Sequence, residues 1–185
     1  MASYTKNTDN YTLGQVGIYF STTVADANLR NATFLTATNS LGNIVTAEIA
    51  PNVTYIEHYI SDRGMRKKDK TAMNLSNVTI PFTFDEMDNA NLKRFFMASD
   101  IGSNRLAVME EALDEGSAVL KFDTSVGKDL MYYIPKCQIR PDGNLAVNAE
   151  DWWKGNCVLD ILYYDTTATP WDNAPLGFID TSTLS

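Results

Sequence analysis

The residue types that usually carry catalysis are scarce in this sequence. His58, in the stretch YIEHYI, is the only histidine, so a Ser-His-Asp triad or a histidine-rich metal site would depend on it. Its place in a strand-like stretch is more typical of a packed or surface histidine. Spacings of a Cys-x-x-Cys pair, an H-E-x-x-H site, a P-loop, a dinucleotide-binding loop or an EF-hand do not occur. The sequence therefore predicts no enzyme, no cofactor and no metal.

Acidic residues offer two candidates for ligand or substrate chemistry. Glu110, Glu111, Asp114 and Glu115 form an acidic run that would suit a divalent ion. Four carboxylates on a short amphipathic stretch are more typical of a solvated face. A pair of acids for glycoside hydrolysis stays open, since any two of the 23 Asp and Glu residues could meet in the fold.

Tryptophan is the third residue type with a chemical use. Trp152 and Trp153 lie in EDWWKG and Trp171 lies in TPWDN. Exposed tryptophan rings can stack on sugars, which keeps a carbohydrate-binding β-sandwich as an alternative. The simpler interpretation is that one Trp from each place fills the end of a β-sandwich.

The two cysteines, Cys137 and Cys157, both lie in strand-like stretches. A disulfide is possible if those strands pair. Two buried free thiols are the expectation for a protein kept in a reducing cytoplasm.

Residues 61–70, SDRGMRKKDK, concentrate positive charge in an acidic chain. The segment has a local charge of +3, whereas the chain has a formal charge of −8, so the remaining residues together carry −11 (−8 minus +3). It joins a strand ending near Ile60 to one starting near Leu75, which predicts a loop of about 13 residues, a length typical of functional loops. Its charged members are Arg63, Arg66, Lys67, Lys68, Asp69 and Lys70, with Asp62.

Nucleic-acid binding is one function for such a segment, because Lys and Arg release phosphate counterions. Residues 61–73 contain no aromatic side chain on which bases could stack. The net negative charge of the whole molecule also repels nucleic acid. An acidic protein partner fits better, and a second copy of this chain is the simplest such partner.

The elements that must position these residues are mainly strands. Apolar residues alternate with Asn, Thr and Pro through residues 77–84, and Pro81, which lacks an N–H donor, predicts a sheet edge there. The stretch 53–60 is apolar on both faces, so something should cover its second face. Further strands are predicted at residues 15–22, 43–50, 118–124, 129–139 and 157–164.

One helix is predicted after the strand at 77–84, with Asp85 as its N-cap and an apolar stripe of Leu92, Phe95 and Phe96. A second short helix is predicted at residues 105–116. With the strands, this gives a mainly-β fold with one flanking helix, a β-sandwich or open barrel.

The chain is predicted to form a single domain over residues 1–185. Residues 1–14 and 165–185 are polar or contain Pro and are expected to be arms or flexible ends. The first residues lack the basic and apolar regions of a secretory signal, and no segment has the ~18 apolar residues of a membrane span.

Three stretches in a fixed order resemble the major tail tube protein of tailed bacteriophages. The resemblance covers about residues 40–165 and gives no match at either end. The stretches are LGNIVTAEIAPNVTYIEHYISDRGMRKKDKTAM (41–73), VTIPFTFDEMDNANLKRFF (78–96) and YYIPKCQIRPDGNLAVNAEDWWKGNCVLDI (132–161).

This resemblance implies a β-fold of the tail tube type that closes into hexameric rings, which stack into a hollow tube conducting DNA during ejection. It implies that the basic residues Arg63 to Lys70 form an inter-subunit loop. The implied partners are further copies of the chain and other tail proteins such as the tape measure and terminator proteins, with DNA passing without specific binding and no membrane. The implied location is the virion tail, after assembly in the host cytoplasm.

Another tube-fold component, such as a tail terminator or a secretion-system tube ring, is the alternative within the same class.

Overall fold

The computed structural model describes residues 13–126, 130–147, 149–167 and 169–180. Strands dominate these residues, and one α-helix accompanies them, so the predicted mainly-β class is confirmed. None of the helices in these ranges has the length and apolar character needed to cross a bilayer. The elements are β1 (Leu13–Ser21), β2 (Ile44–Ala47), β3 (Ala50–Asp62), β4 (Met65–Phe84), α1 (Asn89–Phe96), β5 (Ser99–Asp100), β6 (Leu106–Ala107), β7 (Glu115–Val126), β8 (Leu130–Pro141), β9 (Gly155–Ile161) and β10 (Phe178–Asp180).

One antiparallel sheet organises the molecule. Its strand order is β1-β7-β8-β9-β4-β2, with β10 paired to β8 and β3 paired to β4. The two ends of this order meet, because the segment leading into β2 bonds back to β1. Phe20 N–H donates to Asn39 O (2.7 Å), and Leu41 N–H donates to Ile18 O (2.9 Å). The sheet therefore curls around its own interior.

The interior is filled by alternate residues of the curled sheet, as the period of two requires. Phe95 of α1 contributes to the same cluster. Burial of these side chains is the main driving force for folding. The buried members include Ile18, Phe20, Ile80, Phe82, Phe84, Leu120, Ile134, Ile139 and Leu159.

A second, smaller apolar cluster covers the outer face of β7 and β8. Val119 and Tyr133 point to this face, whereas their chain neighbours belong to the interior cluster. Leu29 and Phe34, from the connection between β1 and β2, pack there together with Trp171. β7 and β8 are thus covered on both faces, which explains their nearly continuous apolar sequences.

Helix α1 begins later than the sequence predicts. Its N-cap is Asp88, whose side chain accepts a bond from Asn91 N–H (2.7 Å), and not Asp85. Asn43 donates hydrogen bonds to both of the acidic residues that precede Asp88. Its side chain donates to Asp85 (2.8 Å), and its backbone N–H donates to the Glu86 side chain (3.1 Å). These bonds hold residues 85 and 86 beside β2, so the helix forms only beyond them.

The predicted helix at residues 105–116 is wrong. The segment forms the short strand β6 and then passes the C-terminal end of α1. Met109 N–H donates to Phe96 O (3.0 Å), and the N–H groups of Glu110 and Glu111 donate to Met97 O (3.0 Å each). Tertiary hydrogen bonds thus use the donors that a helix would need.

The described part of the C-terminal stretch, residues 165–167 and 169–180, is not a flexible end, contrary to the prediction. Trp171 is buried against the outer face, and β10 pairs with residues 131–133 of β8. At the other end, Leu13 and Gly14 belong to β1 and pair with β7, so this part of the predicted N-terminal arm is wrong. The predictions for residues 1–12 and 181–185 lie outside the described residues.

Pro81 does not mark a sheet edge, because β4 lies between β9 and β2. Its carbonyl accepts from Glu48 N–H (3.0 Å), which lies in the short break between β2 and β3. Pro81 therefore faces the one place along this side of β4 where the partner strand is interrupted, so its missing donor breaks no regular ladder.

Candidate interaction surface

A hairpin projects from the body of the molecule without packing against it. We name residues 51–77 the arm; it consists of most of β3 and the first part of β4. Apart from Asp62, which is half-buried, every arm side chain that the structure describes is exposed. At ~3.4 Å per residue, Pro51 to Asp62 spans roughly 40 Å. The sheet provides no second layer for either face of the arm.

The basic segment is part of this hairpin and is not a loop of about 13 residues. Arg63 and Gly64 alone form the turn, and β4 begins at Met65. Both turn residues have positive φ (51° and 82°), as a two-residue type I′ turn requires. The predicted loop residues Arg66, Lys67, Lys68, Asp69 and Lys70 are therefore strand residues.

Apolar side chains lie exposed on both faces of the arm. On one face, Tyr55 stands opposite Met73, with exposed fractions of 60% and 64%. The other face carries Ile56 and Ile60, with Met65 near the turn. A single apolar face would suit a strand lying on its own core. Both faces of the arm therefore lack a packing layer within the described structure.

Two of the five basic residues already have acidic partners inside the arm. Lys68 forms an ion pair with Glu57, and Lys67 pairs with Asp62 (2.5 Å). Hydrogen bonds from Lys68 and then Tyr59 lower the pKa of Glu57, and the bond to Glu57 raises the pKa of Tyr59. These exposed pairs hold the two strands in register and contribute little net stability.

His58 has a structural partner. Its Nδ1 lies 2.6 Å from a carboxylate oxygen of Asp69. Asp69 is the extra residue of a β-bulge, between Lys68 and Lys70, which pair with Tyr59 and His58. The contact fixes the carboxylate that the bulge leaves outside the regular pairing.

The remaining cations face outward. Arg66 lies over the ring of Tyr59 (5.0 Å to its centroid). Arg63 at the turn and Lys70 on β4 form no ion pair within the described parts of the chain. The predicted inter-subunit residues thus divide into an internally paired set and three cations, Arg63, Arg66 and Lys70, that could meet a partner.

Three of the four carboxylates of the acidic run lie beside basic residues. Asp114 lies 3.4 Å from Arg94 Nε, Glu115 lies 3.3 Å from Lys136 Nζ, and Glu111 lies 4.0 Å from Lys93 Nζ. No group of three potential metal ligands occurs in the described ranges.

The tryptophans have different surroundings, as sequence reasoning did not anticipate. Trp171 is buried, as expected of one Trp (8% exposed), but it packs on the outer face of β7 and β8, whereas the sequence predicts that it fills the end of a sandwich. Trp152 and Trp153 are 79% and 49% exposed, so neither fills the end of the fold. An exposed Trp pair is unusual on a free surface and typical of an interface.

Both cysteines are free and buried. Cys137 and Cys157 lie on the neighbouring strands β8 and β9, but Cys137 is opposite Ile161, and Cys157 is opposite Pro141. Burial raises the pKa of the Cys157 thiol to about 12 and that of Cys137 still further. Such thiols are poor nucleophiles, so they serve packing.

Neither the protein-family models nor the curated proteins that were searched contain a match to this chain.

Proposed function

We propose that this protein is the structural subunit of a bacteriophage tail tube. Copies of the chain would form hexameric rings that stack into a hollow tube conducting DNA. The ordered resemblance of residues 40–165 to that family supports the proposal, and the mainly-β fold with one helix is compatible with it.

The free-standing arm is the observation that carries the proposal. A two-stranded hairpin is marginally stable alone in water. This one is roughly 40 Å long and exposes Tyr55, Ile56 and Met73. Its unpaired outer edges also invite association. Covering it with a second subunit would bury these side chains and order the arm.

Head-to-tail contact accounts for a closed ring or an open filament. An arm that docks on a different surface of the next copy makes a heterologous contact, which closes by rotation or extends by translation. A tube needs both kinds of contact. The net charge of −8 suits a lumen that DNA must cross without binding.

Sedimentation velocity over a concentration series tests the proposal. The expected result is a concentration-dependent shift from small species to large assemblies. A single monomeric species at every concentration would contradict it.

A carbohydrate-binding function is the second candidate, because Trp152 and Trp153 expose their rings. Glycan-array binding by a persistent monomer would favour this function over the tube.

A further inference from the structure

The arm and the exposed tryptophans lie at opposite ends of one strand. The arm occupies the N-terminal part of β4, and its turn precedes Met65. The C-terminal residue of β4, Phe84, pairs with Gly155, which directly follows the segment 149–154. We name residues 149–154 the Trp loop. β4 has 20 residues, so its two ends are separated by at most roughly 65 Å, the length of an extended strand.

The two ends carry opposite charge. The arm contains five basic and three acidic residues. Around the Phe84–Gly155 pair, six carboxylates accompany Lys154, which pairs with Asp151 (2.8 Å), and the half-exposed Arg140. The six acidic residues at this end are Asp85, Glu86, Asp88, Asp142, Glu150 and Asp151.

Short contacts place three of these acids, Asp85, Asp142 and Asp151, at that end. Asp85 N–H donates to Asn43 O (3.3 Å), next to the Ile44–Phe84 pair. Asp142 N–H donates to Asn156 O (2.9 Å), one residue after Gly155. Asp151 accepts from the N–H of Trp152 (2.8 Å), so the acid and the ring lie in one turn.

We propose that the Trp loop of one subunit is the docking site for the arm tip of the next subunit. This inference rests on the proposed function and adds the receiving surface to it. Trp152 and Trp153 would cover Met65 and the guanidinium of Arg63, since indole rings bind both apolar side chains and cations. The surrounding carboxylates would attract Arg63 and Lys70.

Because the arm and the Trp loop lie at opposite ends of the molecule, a row of subunits joined through them can keep growing. A contact between opposite ends of a molecule leaves one arm and one Trp loop free at the ends of every row of subunits. Growth therefore needs no other contact along the row.

Chemical cross-linking between two variants tests the pairing directly. Ser61→Cys places a thiol near the arm tip, and Ala149→Cys places one in the Trp loop while keeping both tryptophans. The two proteins are mixed, assembled and treated with a short bis-maleimide. Cys137 and Cys157 are buried and do not compete. In the control, Ile179→Cys on β10 replaces Ala149→Cys; Ile179 is also exposed.

Cross-linked heterodimers are expected from Ser61→Cys with Ala149→Cys and only at background level with Ile179→Cys. Tubes that form normally but cross-link no better than the control would overturn this docking site and leave the proposed function standing. Absence of both tubes and cross-links would overturn the proposed function, and the docking site with it.

A second variant tests the tryptophans themselves. Trp152→Ala with Trp153→Ala should raise the concentration needed for assembly about 30-fold, the effect of losing a ~2 kcal/mol interface hot spot. The melting transition should stay near that of the parent, because Trp152 is largely exposed. Unchanged assembly of this variant would contradict the docking site, whether or not glycan binding is lost.

Discussion

At the scale of single residues, the two buried thiols have a consequence for stability at high pH. The pKa of Cys157 rises from about 9 to about 12, and burial is the main cause. Below about pH 8 the thiol keeps its proton in both the folded and unfolded chains. Between about pH 9 and 12 the unfolded chain releases the proton and the folded chain does not, so the free energy of unfolding falls.

We expect this fall to be about 1.4 kcal/mol per pH unit for Cys157. Urea unfolding at pH 8, 9, 10 and 11 measures it. The Cys157→Ala variant provides the control, since it lacks the titrating group and should show a shallower decline. Equal slopes for parent and variant would contradict the account.

His58 gives a second residue-scale prediction. Its contact with Asp69 lies on the exposed arm, and no group of three potential metal ligands occurs in the described residues. His58→Gln keeps a side chain that can donate to Asp69, so assembly and phage infectivity should stay near parental levels. Normal tube assembly with lost infectivity would reveal a function of His58 that the contact does not explain.

Predictability from the sequence differs among individual residues. The alternation around Ile80, Phe82 and Phe84 was sufficient to predict their burial in a strand. The missing N–H donor of Pro81 is visible in the sequence and predicts a sheet edge. The break between β2 and β3 that accommodates Pro81 depends on tertiary structure, so the sequence does not reveal it. Trp152 and Trp171 have equally polar neighbours in the sequence, so their opposite exposure follows only from the packed C-terminal stretch.

At the scale of elements, the arm shows which sequence signals were strong. The two-faced apolar pattern of residues 53–60 predicted a strand with a covering partner, and β3 confirms the strand. The predicted loop between Ile60 and Leu75 is strand from Met65 onward, although its Lys and Asp residues are poor strand formers. Cross-strand pairing with β3 overrides that preference. The turn was missed because Arg63 occupies a position where Asn or Asp is usual.

The outward-facing cations of the arm yield an element-scale prediction. Arg63→Glu with Lys70→Glu should prevent assembly at low salt, because like charges then meet the acidic surface of the next subunit. The effect should weaken as salt rises, since screening reduces the repulsion. Circular dichroism and melting should stay nearly unchanged. Sedimentation measures the assembly.

The conservative pair Arg63→Lys with Lys70→Arg keeps both charges and should assemble like the parent. Lys67 and Lys68 are less informative sites, because their reversal also breaks ion pairs inside the arm. Normal assembly of the double Glu variant at low salt would show that Arg63 and Lys70 do not contact an acidic surface of the next subunit.

Shortening the arm separates folding from assembly. Replacing residues 55–74 by Asn-Gly joins Thr54 to Leu75, which already pair in the sheet, through a favourable turn. The body should fold with a similar melting temperature, because the removed side chains pack against no other part of the described structure. Assembly should be lost. A large drop in melting temperature would show that the arm supports the body.

At the scale of the whole molecule, charge distinguishes the proposed tube subunit from a nucleic-acid-binding protein. The chain carries −8, and the part outside residues 61–70 carries −11 (−8 minus +3). Assembled tubes should therefore show no measurable affinity for duplex DNA at physiological salt. Tight, salt-sensitive binding in a filter or anisotropy assay would restore the nucleic-acid function of the basic segment.

The central claim is that copies of this chain build a hollow tube through the arm. Electron microscopy of the concentrated, purified protein tests it most directly. The predicted micrographs show tubes with a central channel and six-fold rings in end view. Dispersed single molecules at every concentration, or solid aggregates without a channel, would contradict the claim.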